Sequence, residues 1–218
     1  MKKFSGYSET TALDFTQYEK IEVGPHICKI LDVKLEEIIG KSGKFEQLLI
    51  KIDTDESDKQ PNFYKERFKQ DADKDPTTAK WKGYYKLFIP KDDGTEQDEK
   101  SKVNFKTFMT CIEKSNSGYD WEKANWEEKT LIGKKFLGVF GIEEFTSQTG
   151  NIAWVTKCKF VRSTDADLEK VGIPKVKLMD NTYMDYEEWL ERDTNNKAAD
   201  DIINNSNTIE DSSDDLPF

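Results

Sequence analysis

Apolar and polar residues alternate along much of this chain with a period of two, the spacing of a half-buried strand, and in one segment they switch to the period of a helix. A turn signal at Val23-Gly24-Pro25 precedes the β-branched, apolar run His26-Ile27-Cys28-Lys29-Ile30-Leu31-Asp32-Val33, which predicts a first strand. Lys41-Ser42-Gly43-Lys44 predicts a turn, and Phe45 to Asp53 a second strand. In that strand Leu48, Ile50 and Ile52 share one face and predict core, while Phe45, Gln47, Leu49 and Lys51 share the other. Residues 54–80 are polar and charged without apolar period, which predicts a long or poorly ordered insertion. Tyr84 to Ile89 predicts a third strand ended by Pro90, with Tyr85, Leu87 and Ile89 inward and Tyr84, Lys86 and Phe88 outward.

The period then changes. Phe105, Phe108, Met109 and Ile112 fall at i, i+3, i+4 and i+7, one stripe of an amphipathic helix, with Gly118 as the stop signal. Trp121 and Trp126 lie in the polar connection that follows and are expected to pack against the body. Lys134 to Ile142 and Ile152 to Val161 predict two more strands around a turn at Thr146–Asn151, and Gly138 and Gly141 suggest bulges or sharp coiling. Strand, strand, strand, helix, strand, strand is the element order of the oligonucleotide-binding (OB) fold, a five-stranded Greek-key barrel. The expected class is therefore mainly β. Residues 1–162 form the barrel domain, with a polar, basic-aromatic insertion at about 54–83. Residues 163–194, with Tyr183, Tyr186, Trp189 and Leu190, predict a short helical extension. From Asn195 to Phe218 the composition is Asn, Ser, Asp and Glu, which predicts a disordered acidic tail.

Charge sharpens this division. Residues 163–218 hold 5 basic and 15 acidic side chains, so the net charge of −10 belongs to them, and residues 1–162 balance at 28 of each sign. Within that neutral body, residues 59–91 hold nine basic side chains against four acids, interleaved with seven aromatics: Phe63, Tyr64, Phe68, Trp81, Tyr84, Tyr85 and Phe88. A local cationic surplus followed by a distant acidic segment suggests a polyanionic ligand for one part and another role for the other. No apolar run approaches the ~20 residues of a membrane span. MKKFSGYSET carries two lysines with no apolar stretch behind them, so a cytoplasmic protein is expected.

Candidate chemistry is sparse. Cys28, Cys111 and Cys158 are far apart and odd in number, and each sits in an apolar run, as buried reduced thiols do. His26-x-Cys28 lacks the spacing of a zinc site, so no metal and no cofactor are expected. There is no phosphate-binding loop and no nucleophile-elbow motif, and one histidine leaves little room for triad or metallohydrolase chemistry. The best enzymatic alternative is a metal-dependent nuclease using Asp32 and Lys34 with Asp14 or Glu22.

The tail ends in Asp214-Asp215-Leu216-Pro217-Phe218, a ring and a terminal carboxylate behind flanking acids. It resembles the acidic tip of bacterial-type single-stranded DNA-binding proteins, which usually ends Asp-Asp-Ile-Pro-Phe. The body is similar to the longer single-stranded DNA-binding proteins encoded by phages of Gram-positive bacteria. That likeness is carried by Gly24-Pro25-His26, Ser42-Gly43-Lys44-Phe45 and Leu131-Ile132-Gly133-Lys134-Lys135-Phe136 over about residues 20–162. The resemblance implies a replication or recombination role in the host cytoplasm. It also implies that Asp214, Asp215, Leu216, Pro217 and Phe218 recruit replication or recombination proteins; a homo-oligomer is compatible with it. A recombination mediator or strand-annealing protein is the neighbouring alternative. Independently of the resemblance, single strands are held by basic grooves with aromatic faces for stacking. The face of strands 2 and 3 is the usual surface of an OB fold. The expected DNA contacts are Phe45, Lys51, Lys65, Arg67, Trp81, Lys82, Tyr84, Lys86 and Phe88.

Overall fold

The structure, a computed structural model, describes residues 20–40, 43–147 and 150–194. Five longer strands carry the body: β1 (Gly24–Gly40), β2 (Gly43–Thr54), β3 (Tyr84–Phe88), β4 (Lys135–Thr146) and β5 (Ile152–Arg162). Two short strands, β6 (Val176–Lys177) and β7 (Tyr183–Met184), extend the sheet. The hydrogen-bonded order is β3-β2-β1-β4-β6-β7, with β5 on β4. β6 runs parallel to β4 and the remaining pairings are antiparallel, so the sheet is mixed.

Alternation builds the core as the pattern requires. Leu48, Ile50 and Ile52 of β2 and Leu87 of β3 are buried with Cys28, Ile30 and Val33 of β1 and Phe136 and Phe140 of β4. Helix α2 (Glu96–Ser115) covers this core with Phe108, Met109 and Ile112. It begins nine residues before the first residue of the apolar stripe, where the Thr95 hydroxyl accepts the Asp98 N–H at its N-terminus. Gly138 permits a close approach, because a Cβ there would stand 2.9 Å from the Cys28 Sγ and 3.1 Å from the Cys158 Sγ. The bulge in this hairpin falls one residue later, between Val139 and Phe140.

Several expectations are corrected. The sheet does not close: among the described residues β3 and β5 do not pair, and Gln97, Ser101, Asn104 and Thr107 of α2 line the opening between them. β3 is only five residues long and stops before Pro90, so it offers little edge to pair. The insertion is not a plain loop, since it contains helix α1 (Phe63–Lys74). α1 has a left-handed Asn62 and no side-chain cap of its own. Its free N–H groups find their acceptors on β2 instead: the Asp53 carboxylate accepts from Tyr64 N (2.8 Å) and Lys65 N (3.1 Å), and the Thr54 hydroxyl accepts from Phe63 N (2.9 Å). Such caps bring together residues about ten apart and leave no local helix-start signal. β1 also runs seven residues beyond Val33 and pairs with β2 as far as Gly40 with Gly43, a projecting hairpin.

Residues 163–194 are more than a helix. β6 and β7 add to β4, and a helix α3 occupies residues 186–194 of the described chain. Trp189 buries its ring against Ile142 and Val176, and its indole N–H donates to the buried Glu144 carboxylate at 2.9 Å. Residues 195–218, with the whole tip Asp214 to Phe218, and the turn residues Lys41, Ser42, Gln148 and Thr149 lie outside the described residues. No helix among the described residues is long and apolar enough to cross a membrane.

Candidate nucleic-acid interface

Strand register assembles the outer face of β1, β2 and β3 in rows. Asp32, Lys51 and Tyr84 form one row, Lys34, Leu49 and Lys86 the next, and Glu36, Gln47 and Phe88 the third, with Ile38 beside Phe45 at the end. Directly paired residues of antiparallel strands share a face. The same strands therefore present a dry face to the core and a second, mixed face outward. On that face Tyr84 is 41% and Phe88 47% exposed. Phe45 packs edge-on against Phe88 with ring centroids 5.7 Å apart, and the Lys91 ammonium lies 5.9 Å from the Phe45 ring. Lys86 is exposed between Tyr84 and Phe88, opposite Leu49.

Gln47 departs from its expected open position. It is buried; its amide Nε2 donates to the Glu36 carboxylate at 3.3 Å, and its Oε1 has no partner among the described residues. The Lys34 ammonium reaches the same Glu36 carboxyl and holds it below the usual carboxylate range. The β1 column thus contributes acids as well as bases: Asp32 pairs with Lys129 at 3.2 Å, and hydrogen bonding to that lysine lowers its carboxyl too. The cationic part of the face is its β2–β3 half. Asp32 and Lys34, the residues of the nuclease alternative, are each engaged with a partner of their own. Among the described residues no three His, Cys, Asp or Glu side chains gather as a metal ion would need.

Trp81 is half-buried. Its indole N–H donates to the Gly83 carbonyl at 2.9 Å, its ring lies near Phe68 (6.0 Å) and Tyr64 (6.4 Å), and the Lys51 ammonium sits 4.2 Å from its centroid. Gly83 is required here, since a Cβ would stand 2.4 Å from the Ile52 carbonyl and 2.5 Å from the Tyr64 ring. Trp81 therefore fastens α1 to the sheet as well as flanking the face. Of the remaining expected contacts, Lys65 is exposed on the first turn of α1. Arg67 and Lys82 share the Asp71 carboxylate, at 3.4 and 2.8 Å. These three stand beside the face rather than on it.

Two aromatic surfaces went unread in the sequence. Trp126, expected to pack away, is 62% exposed and stacks on Phe105 with centroids 6.3 Å apart and an interplanar angle of 8°. It and Asn125 have positive φ, and it borders an apolar groove of about 600 Å³ with Leu35, Pro90 and Trp121. The second is a cleft of about 470 Å³ where α1 and the start of β3 face β5; Arg67, Lys82 and Tyr84 line one side, Trp154, Thr156 and Lys157 the other. The signal for the second lay in Trp154 and Thr156 sharing one face of β5, but only the fold shows what they face.

The lone histidine is structural in placement. His26 is buried, with Nδ1 2.8 Å from Asp58 Oδ1 and Nε2 3.0 Å from the Glu22 carbonyl oxygen. Burial pushes the Asp58 carboxyl up, but the His26 hydrogen bond and the Gln60 and Ile27 N–H groups outweigh it and leave it below its ordinary value. The thiols are free: Cys28 is buried, Cys111 and Cys158 half-buried, and burial raises the Cys158 thiol to about 12.

No family model matches the chain, and no curated protein matches it either.

Proposed function

We propose that this chain is a binding protein for single-stranded DNA, without strong sequence preference, that acts in replication or recombination and is not an enzyme. The observation that carries the reading is the outer face of β2 and β3. There two exposed rings, Tyr84 and Phe88, alternate with Lys86 along one strand, with Lys51 and Phe45 on the next. Every base offers a π-face to such rings, and phosphates between the bases are met by the lysines. Duplex DNA keeps its bases stacked internally and leaves the rings unused.

The strand order β3-β2-β1-β4-β5 within the sheet, with a helix between β3 and β4, supports reading residues 24–162 as an OB barrel left open at β3 and β5. In this reading the tip Asp214 to Phe218 recruits partner proteins, an apolar ring and carboxylate being a compact anchor for a pocket with a basic rim. The test is a titration of oligonucleotides of one length in single- and double-stranded form at two salt concentrations. Single strands bind more tightly, with log affinity falling against log salt by about 0.7 per phosphate contacted. Equal or tighter binding of duplex overturns the reading.

A further inference from the structure

The cleft between α1 and β5 has the marks of a built site. Thr156 lines it and is over nine-tenths buried, and its hydroxyl has no hydrogen-bond partner among the described residues. A buried hydroxyl left unpaired costs roughly 1–3 kcal/mol, so this one calls for a partner from a ligand or an ordered water. The walls are aromatic and cationic. Tyr84 lines it, as does Trp154 with the Lys20 ammonium 3.3 Å from its ring, and among the described residues no Asp or Glu lines the cleft. Behind one wall Asp71 serves both Arg67 and Lys82, and behind the other Glu143 serves Lys157, Lys159 and Lys177. The three lysines on Glu143 leave that cluster net positive. The volume, about 470 Å³, falls in the range of small-ligand sites, roughly 300–1,000 Å³. Tyr84 belongs to this cleft and to the β2–β3 face at once, so the two surfaces are continuous.

We infer that the cleft is a subsite for one nucleotide unit of the bound strand: its base lies against Tyr84, the Thr156 hydroxyl hydrogen-bonds the base edge, and Arg67, Lys82 and Lys157 meet the adjoining phosphates. This deepens the proposed single-strand binding and rests on it. The open β2–β3 face takes successive bases by stacking alone, whereas the cleft adds a walled pocket with one polar contact. β5 pairs only with β4 among the described strands, so its other edge faces this space without a strand of its own.

The test uses the full chain and fluorescently labelled oligothymidylate, with affinity read by anisotropy and stability by thermal melting. Thr156→Val keeps the shape and removes the unpaired hydroxyl, so the fold is retained with an equal or higher Tm. Affinity falls roughly three- to tenfold, the loss of one hydrogen bond. Lys157→Gln, on the exposed rim, lowers the salt slope by about 0.7. Lys86→Ala, confined to the β2–β3 face, is the reference variant. If Lys86→Ala weakens binding while Thr156→Val and Lys157→Gln bind like wild type, the subsite is refuted and single-strand binding stands. A lower Tm for Thr156→Val with unchanged affinity also refutes it, because the hydroxyl then serves another part of the chain. No measurable binding of the oligonucleotide by the wild-type chain removes the function reading and the subsite together.

Discussion

Two surfaces of this molecule set aromatic rings beside cationic side chains, and they differ in what holds them. On the β2–β3 face, Tyr84, Lys86 and Phe88 come from one short strand and Lys51 and Phe45 from its neighbour, so adjacency in the ladder fixes their spacing. In the α1–β5 cleft the parts come from α1, the start of β3 and β5, and Asp71 and Glu143 hold the lysines in place. The first is open and repetitive, which suits successive bases. The second is walled and carries an orphan hydroxyl, which suits a single one. Under the proposed function, affinity without sequence choice belongs to the first, and any position-dependent preference to the second.

The largest loss is expected from the rings. Tyr84→Ala together with Phe88→Ala removes two stacking surfaces, each worth roughly 1–3 kcal/mol, so oligothymidylate affinity falls about thirtyfold or more. Because both rings are exposed, the melting temperature stays within a few degrees of wild type. Normal binding by this variant would place the contacts elsewhere. Trp81→Ala tests a different property. Its packing on Phe68 and Tyr64 and its hydrogen bond to Gly83 make it a fastener of α1, so the variant loses about 3 kcal/mol of stability in a denaturant melt. A Trp81→Ala chain that melts normally but binds weakly would move Trp81 onto the stacking face.

Charge produces smaller effects. Lys51→Ala with Lys86→Ala lowers the log–log salt slope by about 1.4, two phosphate contacts, measured by titration across a salt series. Deleting Asp211 to Phe218 leaves affinity unchanged or raises it a fewfold at low salt, where acids compete best for the cationic face. The same deletion, and Phe218→Ala alone, abolish co-purification of replication or recombination proteins, while Phe218→Ala leaves DNA affinity as it was. A separate effect is acid stability. Burial raises the Glu143 carboxyl, but hydrogen bonds from Lys159 and Lys157 overcome it and hold it at about 2 against an ordinary 4.5. Its contribution is therefore present above pH 4.5 and lost as pH falls from there through 2. Glu143→Gln flattens this part of the pH–stability curve, read by melting at pH 5 and pH 3.

What the chain discloses directly follows from locality. The inward set Leu48, Ile50, Ile52 and Leu87 and the outward set Tyr84, Lys86 and Phe88 are legible because a strand assigns faces by parity, one residue at a time. Helix α1 is not legible, because its capping groups Asp53 and Thr54 sit on β2 and its own first residues carry no start signal. Gln47 obeys parity yet is buried, since Glu36 from β1 reaches over it. Trp126 lies in a polar stretch that reads as packing, but left-handed backbone at Asn125 and Trp126 turns its ring outward onto Phe105. The cleft is the extreme case: Trp154 and Thr156 meet Arg67 and Lys82 only through the sheet, and no spacing along the chain records it.

In the proposed function single strands lie on the outer face of β2 and β3, and photocrosslinking locates them most directly. The full chain is irradiated with oligothymidylate under saturating conditions, and the adducted peptides are identified by mass spectrometry. Adducts are expected at Phe45, Tyr84 and Phe88. Adducts confined to Trp126 and Phe105, with none on β2 or β3, would contradict this placement.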